Sequence, residues 1–264
     1  MDLQLNGKTA FVSGSTQGIG LAIAKRLLKE GASVIINGRT QQRIDEAIEK
    51  LKQEVPAADV KGIPADFSKV DEVNNLLAEL AEVDILINNA GIFEPKPFVD
   101  ITDEDWLRFF EVNVLSGIRL ARHYFPKMLA KNWGRIIFIS SESGIIVAEE
   151  MLHYSTTKTA QLTVSRGLAE LTKGTNVTVN AVLPGPTKSE GVNEFVNQLA
   201  AAQNITPQQA EKDFFKTARP TSLIQRFASV DEIANLVAYI SSPLSAATNG
   251  AALRADGGVA RLIL

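Results

Sequence analysis

Two periodicities alternate along this chain, and the alternation restricts the fold more than any other feature. Short β-branched or aliphatic runs at Thr9–Val12, Ser33–Ile36, Val60–Ile63, Asp84–Asn88, Arg135–Ser140, Val177–Val182 and Ala251–Ala255 read as strands. Between them, Ile19–Glu30, Gln41–Glu54, Val70–Ala81, Asp103–Lys131, Tyr154–Lys173 and Val230–Ile240 carry apolar residues at helical spacing. For such alternating segments a right-handed crossover joining parallel strands is the simplest assembly. The pattern therefore predicts an α/β, doubly wound, mostly parallel seven-stranded sheet with helices on both faces. Ligands of such sheets collect beyond the carboxyl ends of the strands, so residues that follow strands are the first functional candidates.

At 264 residues, with no linker or low-complexity tract, residues 1–264 read as one domain. The formal net charge of -3 and the lack of a basic stripe predict no nucleic acid partner. Cysteine is absent, and the two histidines, His123 and His153, are too few for a histidine-rich metal site, so no metal is expected. The chemistry then falls to oxygen and nitrogen groups. A polar Asp2 to Lys8 stretch stands where a secretory signal would need an apolar run. Ile233 to Leu253, the longest uncharged run, is broken by serines, Pro243, Asn249 and Gly250, which is unsuited to spanning a membrane. The expectation is a cytoplasmic enzyme with no membrane partner.

After the first strand comes Ser13-Gly14-Ser15-Thr16-Gln17-Gly18-Ile19-Gly20, which opens a helix. In that context glycines let the backbone approach a pyrophosphate while the helix N-terminus faces its charge, the arrangement of a Rossmann dinucleotide site. The second strand ends Asn37-Gly38-Arg39, with no carboxylate to receive a ribose 2′-hydroxyl. Arg39, with Arg43 one turn on, is suited to clamp a 2′-phosphate, so NADP is the preferred expectation over NAD; the plainer reading of Arg39 is a solvated surface residue.

Tyr154 and Lys158 stand four apart at the start of a helix, which stacks phenol and ammonium on one face. A tyrosine normally titrates near pH ~10, and a full charge at ~4 Å is worth up to ~4 kcal/mol at a surface-like dielectric, enough to make the phenol a useful acid. Ser141 follows the fifth strand. Asn113 interrupts the apolar stripe Trp106, Phe110, Asn113, Gly117 of a long helix that Thr102 can cap. Leu107, Leu115, Ile118, Phe125 and Met128 lie around its other faces, more apolar surface than one sheet can cover, which predicts a subunit interface. His153 points about 100° away from Tyr154 and reads as a rim residue. The glycine loop carries Thr16 at the position where a hydrolase elbow needs serine, which disfavours that class.

The glycine loop, Asn88-Asn89-Ala90-Gly91 after the fourth strand, Asn113, Ser141, Tyr154-Ser155-Thr156-Thr157-Lys158 and Pro184-Gly185-Pro186-Thr187 together resemble the short-chain dehydrogenase/reductase family, from about Gly7 to Gly258. The most similar members include 3-oxoacyl-carrier-protein reductases. The resemblance implies a homotetramer that moves a hydride between NADP(H) or NAD(H) and a small carbonyl or secondary alcohol substrate. By position, Ser141 would bond the substrate oxygen and Tyr154 would act as general acid/base. Lys158 would hold the nicotinamide ribose and depress the tyrosine, and Asn113 would seat a relay water. The resemblance also puts Ile19 on the pyrophosphate, Asp66 by the adenine and Asn88 and Ala90 beside the ribose, with Gly14, Thr16, Gly18, Gly20 and Gly91 as further coenzyme contacts. Thr187 would meet the carboxamide, and Pro184 would also contact the coenzyme. Three features depart from common members: Gln17 replaces a basic residue, Glu149 and Glu150 stand in a segment usually small or amidic, and the chain between Thr187 and Arg219 is long.

That long segment reads as a substrate lid at about 188–219, with Val192, Phe195, Val196 and Leu199 as an amphipathic stripe and Phe214 and Phe215 further on. The apolar tail Gly257 to Leu264 fits burial at a subunit contact. Two other functions stay open at this level: a coenzyme-binding sensor or structural protein without turnover, and a nicotinamide-linked epimerase with no net redox change.

Overall fold

The computed structural model of the chain describes residues 1–263. Its elements are β1 (Thr9–Val12), α1 (Gly18–Lys29), β2 (Ser33–Gly38), α2 (Gln41–Glu54), β3 (Val60–Pro64), α3 (Val70–Glu79), β4 (Ile85–Asn88), α4 (Asp103–Phe110), α5 (Ser116–Lys131), β5 (Gly134–Ile139), α6 (Leu152–Glu170), β6 (Val177–Pro184), β7 (Thr187–Lys188), α7 (Glu190–Gln203), α8 (Pro207–Thr217), β8 (Ala228–Ser229), α9 (Val230–Ser241) and β9 (Ala252–Ala255). Seven strands form one sheet in the order β3-β2-β1-β4-β5-β6-β9. Every neighbouring pair in it is parallel. The chain winds outward in one direction from β1 and in the other from β4, so the strand order reverses between them, where doubly wound sheets bind ligands.

Successive strand residues point to opposite faces, so each strand feeds two cores. Val12, Ile36, Ile87 and Ile137 pack under Leu27, Ile44 and Ile233 of α1, α2 and α9, whereas Phe11, Ile35, Leu86 and Ile136 pack under Val73, Leu120 and Met128 of α3 and α5. Polar residues set the helix starts. Thr40 caps α2, Ser189 caps α7, and Thr102 and Ser229 close reciprocal capping boxes with Asp105 and Glu232. Gly31, at φ +85°, lets the chain leave α1 through the left-handed region.

The single helix expected over Asp103–Lys131 is two helices joined by a π-helical turn at Glu111–Leu115, which contains Asn113. Such a turn frees a backbone carbonyl from the i→i+4 ladder, a device that recurs at functional sites. Of the residues of the expected subunit interface, Met128 turns inward at 1% exposure, and Phe125, at 8%, packs on the core while still lining a groove beside α6. Leu107 is exposed, and Leu115 and Ile118 are half-buried.

The segment expected to form a lid folds as the helix pair α7 and α8, with a core of its own made by Val196, Ala200, Ala210, Phe215 and Phe227. Val192 and Leu199 pack against that core, but Phe195 of the predicted stripe is exposed. Beneath the pair, β7 and β8 form a short parallel ladder that the sequence did not disclose. At the chain end Leu262 and Ile263 are exposed, and Leu264 lies outside the described residues.

Candidate active site

The glycine loop is fixed by side chains at the ends of three adjacent strands. Asn37 at the end of β2 accepts the Gly14 amide at 3.0 Å, and its own amide nitrogen donates to Ser15 Oγ at 2.9 Å. Ser13 Oγ accepts the Asn89 and Ala90 amides at 2.9 and 3.0 Å, while Asn89 Nδ2 donates to the Gly14 carbonyl at 2.8 Å. Gly14 and Gly18 both lie at φ +59°. A Cβ on Gly20 would stand 2.5 Å from the Gly14 carbonyl, so the third glycine is required by close approach rather than by its φ. Thr16 packs where a Cβ on Gly38 would come within 2.5 Å of its methyl group. Ile19 sits half-buried against the core under α1.

No side chain caps α1, but the Gly18 amide donates to the Glu190 carboxylate at 3.0 Å. An anionic oxygen is therefore already accepted at this helix N-terminus, the behaviour a coenzyme phosphate requires. Arg39 is exposed at the end of β2. Burial opposes ionisation of Asp66, yet hydrogen bonds from Ser68 and the charges of Arg39 and Lys69 hold its carboxyl below the usual range.

Asn88 is buried at the end of β4, and both polar atoms of its side chain lack a partner. Its amide faces α5, since a Cβ on Gly117 would stand 3.3 Å from Asn88 Cγ. Orphaned polar atoms at a strand's carboxyl end fit a polar ligand. Ala90 is half-buried, and a Cβ on Gly91 would meet Asn113 Oδ1 at 3.4 Å and Lys158 Nζ at 3.5 Å. The loop after β4 thus runs directly beside the second group of candidates.

In that group, Asn113 Oδ1 accepts the Ile92 amide at 2.7 Å, and Nδ2 donates to the Ile92 carbonyl and to Thr157 Oγ1, both at 3.0 Å. Its side chain is fully engaged. Its main-chain carbonyl accepts from Gln161 Nε2. Lys158 Nζ donates to the Ile139 carbonyl at 2.9 Å and to Gln161 Oε1 at 3.3 Å, so one glutamine links Asn113 and Lys158.

Ser141, in extended backbone just after β5, donates to Glu142 Oε2 at 2.8 Å and accepts the Ser143 amide at 3.1 Å. Lys158 Nζ is 5.5 Å from the Tyr154 ring centre. Part of the Tyr154 side chain meets solvent, but burial dominates its surroundings and, with the Glu142 charge, pushes the phenol up; the Ser141 hydroxyl acts in the opposite direction. Burial brings Lys158 down to about 7. Burial thus dominates at the phenol, while the Lys158 ammonium donates to Ile139 and Gln161. Pro184 ends β6 inside the sheet, and Thr187 Oγ1 donates to the Gly185 carbonyl at 2.8 Å.

His153 is not on the rim. It is fully buried against Phe109, ring centres 3.9 Å apart, because α6 begins at Leu152 and turns this residue toward α4. Four participants escaped the sequence reading: Glu142, Gln161, Glu190 and Arg219. Gln161 had a usable signal, three residues beyond Lys158 on the same helical face. Glu142 had a weaker one, a carboxylate directly after a strand end.

A doubly wound sheet with an anion-accepting glycine loop beside a buried serine, tyrosine and lysine defines the oxidoreductases that work with a nicotinamide dinucleotide. The family model for short chain dehydrogenases matches residues 8–200, and the chain belongs to that family. It is 53% identical to the uncharacterized oxidoreductase YvaG of Bacillus subtilis over the full length of both chains. It is 33% identical to the D-beta-hydroxybutyrate dehydrogenase of Cupriavidus necator, covering 96% of this chain and 98% of the relative. Among solved structures, L-sorbose reductase from Gluconobacter frateurii, complexed with NADPH and L-sorbose, superposes with a TM-score of 0.93 over all of both chains at 29% identity. The protein is accordingly an oxidoreductase acting on CH-OH or carbonyl groups, and no described helix is long and apolar enough to cross a membrane.

Proposed function

We propose that the protein interconverts a small polar carbonyl compound and its secondary alcohol, with NADP(H) as coenzyme and Tyr154 as general acid/base. The observation that carries the reading is the convergence of Ser141 from β5 with Tyr154 and Lys158 from α6, beside the loop after β4 that also contacts the glycine loop. Ser141 holds the substrate oxygen. Tyr154, whose environment keeps its proton on at neutral pH, donates that proton to the oxygen during reduction. Lys158 and Gln161 order the lower side of the site, and Asn113 ties it to the loop after β4. Gly14, Thr16, Gly18, Ile19 and Gly20 would hold the phosphates, with Asp66, Ala90, Gly91, Pro184 and Thr187 around the remainder of the coenzyme. Bound there, the coenzyme supplies the hydride that reduces the carbonyl carbon.

Arg39 and the absence of a carboxylate at the end of β2 support NADP over NAD, as does the NADPH held by the sorbose reductase. The L-sorbose held by the sorbose reductase supports a small oxygen-rich compound. The helix pair α7 and α8 would close over it.

The test is a panel of small ketones and alcohols run with NADP(H) and NAD(H), following nicotinamide absorbance. Wild type should turn over members of the panel, while Tyr154→Phe should bind coenzyme normally and lose at least about a thousandfold in kcat. Substantial reduction by that variant would refute the tyrosine's role. Arg39→Asp should shift preference toward NAD(H), read as the ratio of kcat/KM values for the two coenzymes; an unchanged ratio would return Arg39 to the solvated surface.

A further inference from the structure

We infer that the site selects an uncharged carbonyl compound with a hydroxyl on the neighbouring carbon, an α-hydroxyketone, and that Glu142 is the group that receives this hydroxyl. The inference rests on the reading that Ser141 and Tyr154 meet the substrate oxygen.

Glu142 is 7% exposed and lines a cavity of about 440 Å³ together with Ile146, Val147, Glu150, Arg219 and Thr221. That volume suits a small metabolite. One carboxylate oxygen, Oε2, accepts the Ser141 hydroxyl at 2.8 Å, and the other lies 3.6 Å from Arg219 Nε. Arg219 is itself largely enclosed and reaches Glu150 at 3.2 Å on its far side.

A buried carboxylate that loses a hydrogen-bond donor pays a desolvation cost. Ser141 has one hydroxyl proton. When it turns that proton to a substrate carbonyl oxygen, Glu142 Oε2 is left without it. A hydroxyl on the carbon beside the carbonyl would stand next to Ser141 and restore a donor to Oε2 in the same place. A plain ketone brings no such donor. An anionic substrate would face Glu142, Glu149 and Glu150 against only Arg219 and Arg261, with Arg219 already engaged by two carboxylates. The charge on the cavity wall therefore favours a neutral partner rich in hydroxyls.

The test compares 3-hydroxybutan-2-one with butan-2-one, and adds acetoacetate as the anionic ketone, for wild type, Glu142→Gln and Glu142→Ala with NADPH. The ratio of kcat/KM for the hydroxylated over the plain ketone is read within each preparation. Inactive protein, altered tyrosine acidity and the intrinsic reactivities of the two ketones then cancel between variants. Wild type should prefer the hydroxyketone, and Glu142→Ala should lower the ratio by roughly ten- to a hundredfold, the worth of a hydrogen bond to a charged group. Glu142→Gln, which keeps an accepting oxygen, should fall between them. An unchanged ratio in Glu142→Ala, or acetoacetate as the preferred substrate of wild type, would overturn the inference while leaving the reductase reading intact. Wild type that reduces none of the three with NADPH or NADH would also overturn the inference, and the wider panel of ketones and alcohols then decides the reductase reading.

Discussion

Lys158 shows how strongly one position depends on its surroundings. Folding encloses its ammonium with a backbone carbonyl and an amide oxygen as partners and no carboxylate, and burial lowers its pKa from 10.5 to about 7. The unfolded chain keeps the proton up to about pH 10.5, so between 7 and 10.5 it binds more protons than the folded chain and stability rises with pH across that window. Below 7 both states are protonated and the full cost of burying the charge is present. We expect Lys158→Met to raise the melting temperature at pH 7, by about 2–4 °C per kcal/mol recovered, to flatten the rise toward pH 10 and to abolish turnover. Calorimetry across this range checks it; an unaltered slope would show that the ammonium is solvated. Four-residue spacing places Lys158 on the face of Tyr154, but spacing carries no information about Ile139 and Gln161, to which the ammonium donates.

Among the elements, α7 reaches the coenzyme loop from far along the chain. Its first residue, Glu190, accepts the Gly18 amide at the start of α1, although the two are 172 positions apart. A coenzyme phosphate would use the same helix terminus, so carboxylate and phosphate compete for it. Glu190→Gln should tighten NADPH binding by about two- to fivefold, the scale of a charge at a helix end. Fluorescence titration measures this, and the gain should shrink as salt is raised. Weaker binding in the variant would mean that Glu190 supports the bound state instead. The segment from Asp103 to Lys131 teaches a related lesson. Its apolar spacing made helix legible throughout, yet the π-helical turn around Asn113 was not, because it depends on Gln161 taking the Asn113 carbonyl from another helix.

At the scale of the molecule, two cores flank a sheet whose outer strands are β3 and β9. On one flank the described residues leave an apolar groove of about 260 Å³ between α5 and α6, lined by Ile118, Ala121, Phe125, Pro126, Val164 and Leu168. Solvent is a poor neighbour for such a surface. We expect the 28.6 kDa chain to sediment as an oligomer and Leu168→Glu to shift it toward monomer. A wild-type monomer at micromolar concentration would leave the groove to another purpose.

The doubly wound sheet and its seven strands were legible in the amino-acid order, because periodicity and turn chemistry are local; Gly14 and Ser141 stand out by following strands and Tyr154 and Lys158 by sharing a helical face, whereas grouping them with Asn113 as one site rests on the family resemblance. Some boundaries moved by a residue or two, as with β6, which continues through Pro184. His153 in the core, Gln161 between Asn113 and Lys158, Glu190 on Gly18, and Glu142 between Ser141 and Arg219 were settled only by the folded chain. Most of these pairings join residues distant along the chain. They are governed by strand order, by the crossing of α6 over the sheet and by the loss of water around each charge, and none of these is a property of a short stretch of residues.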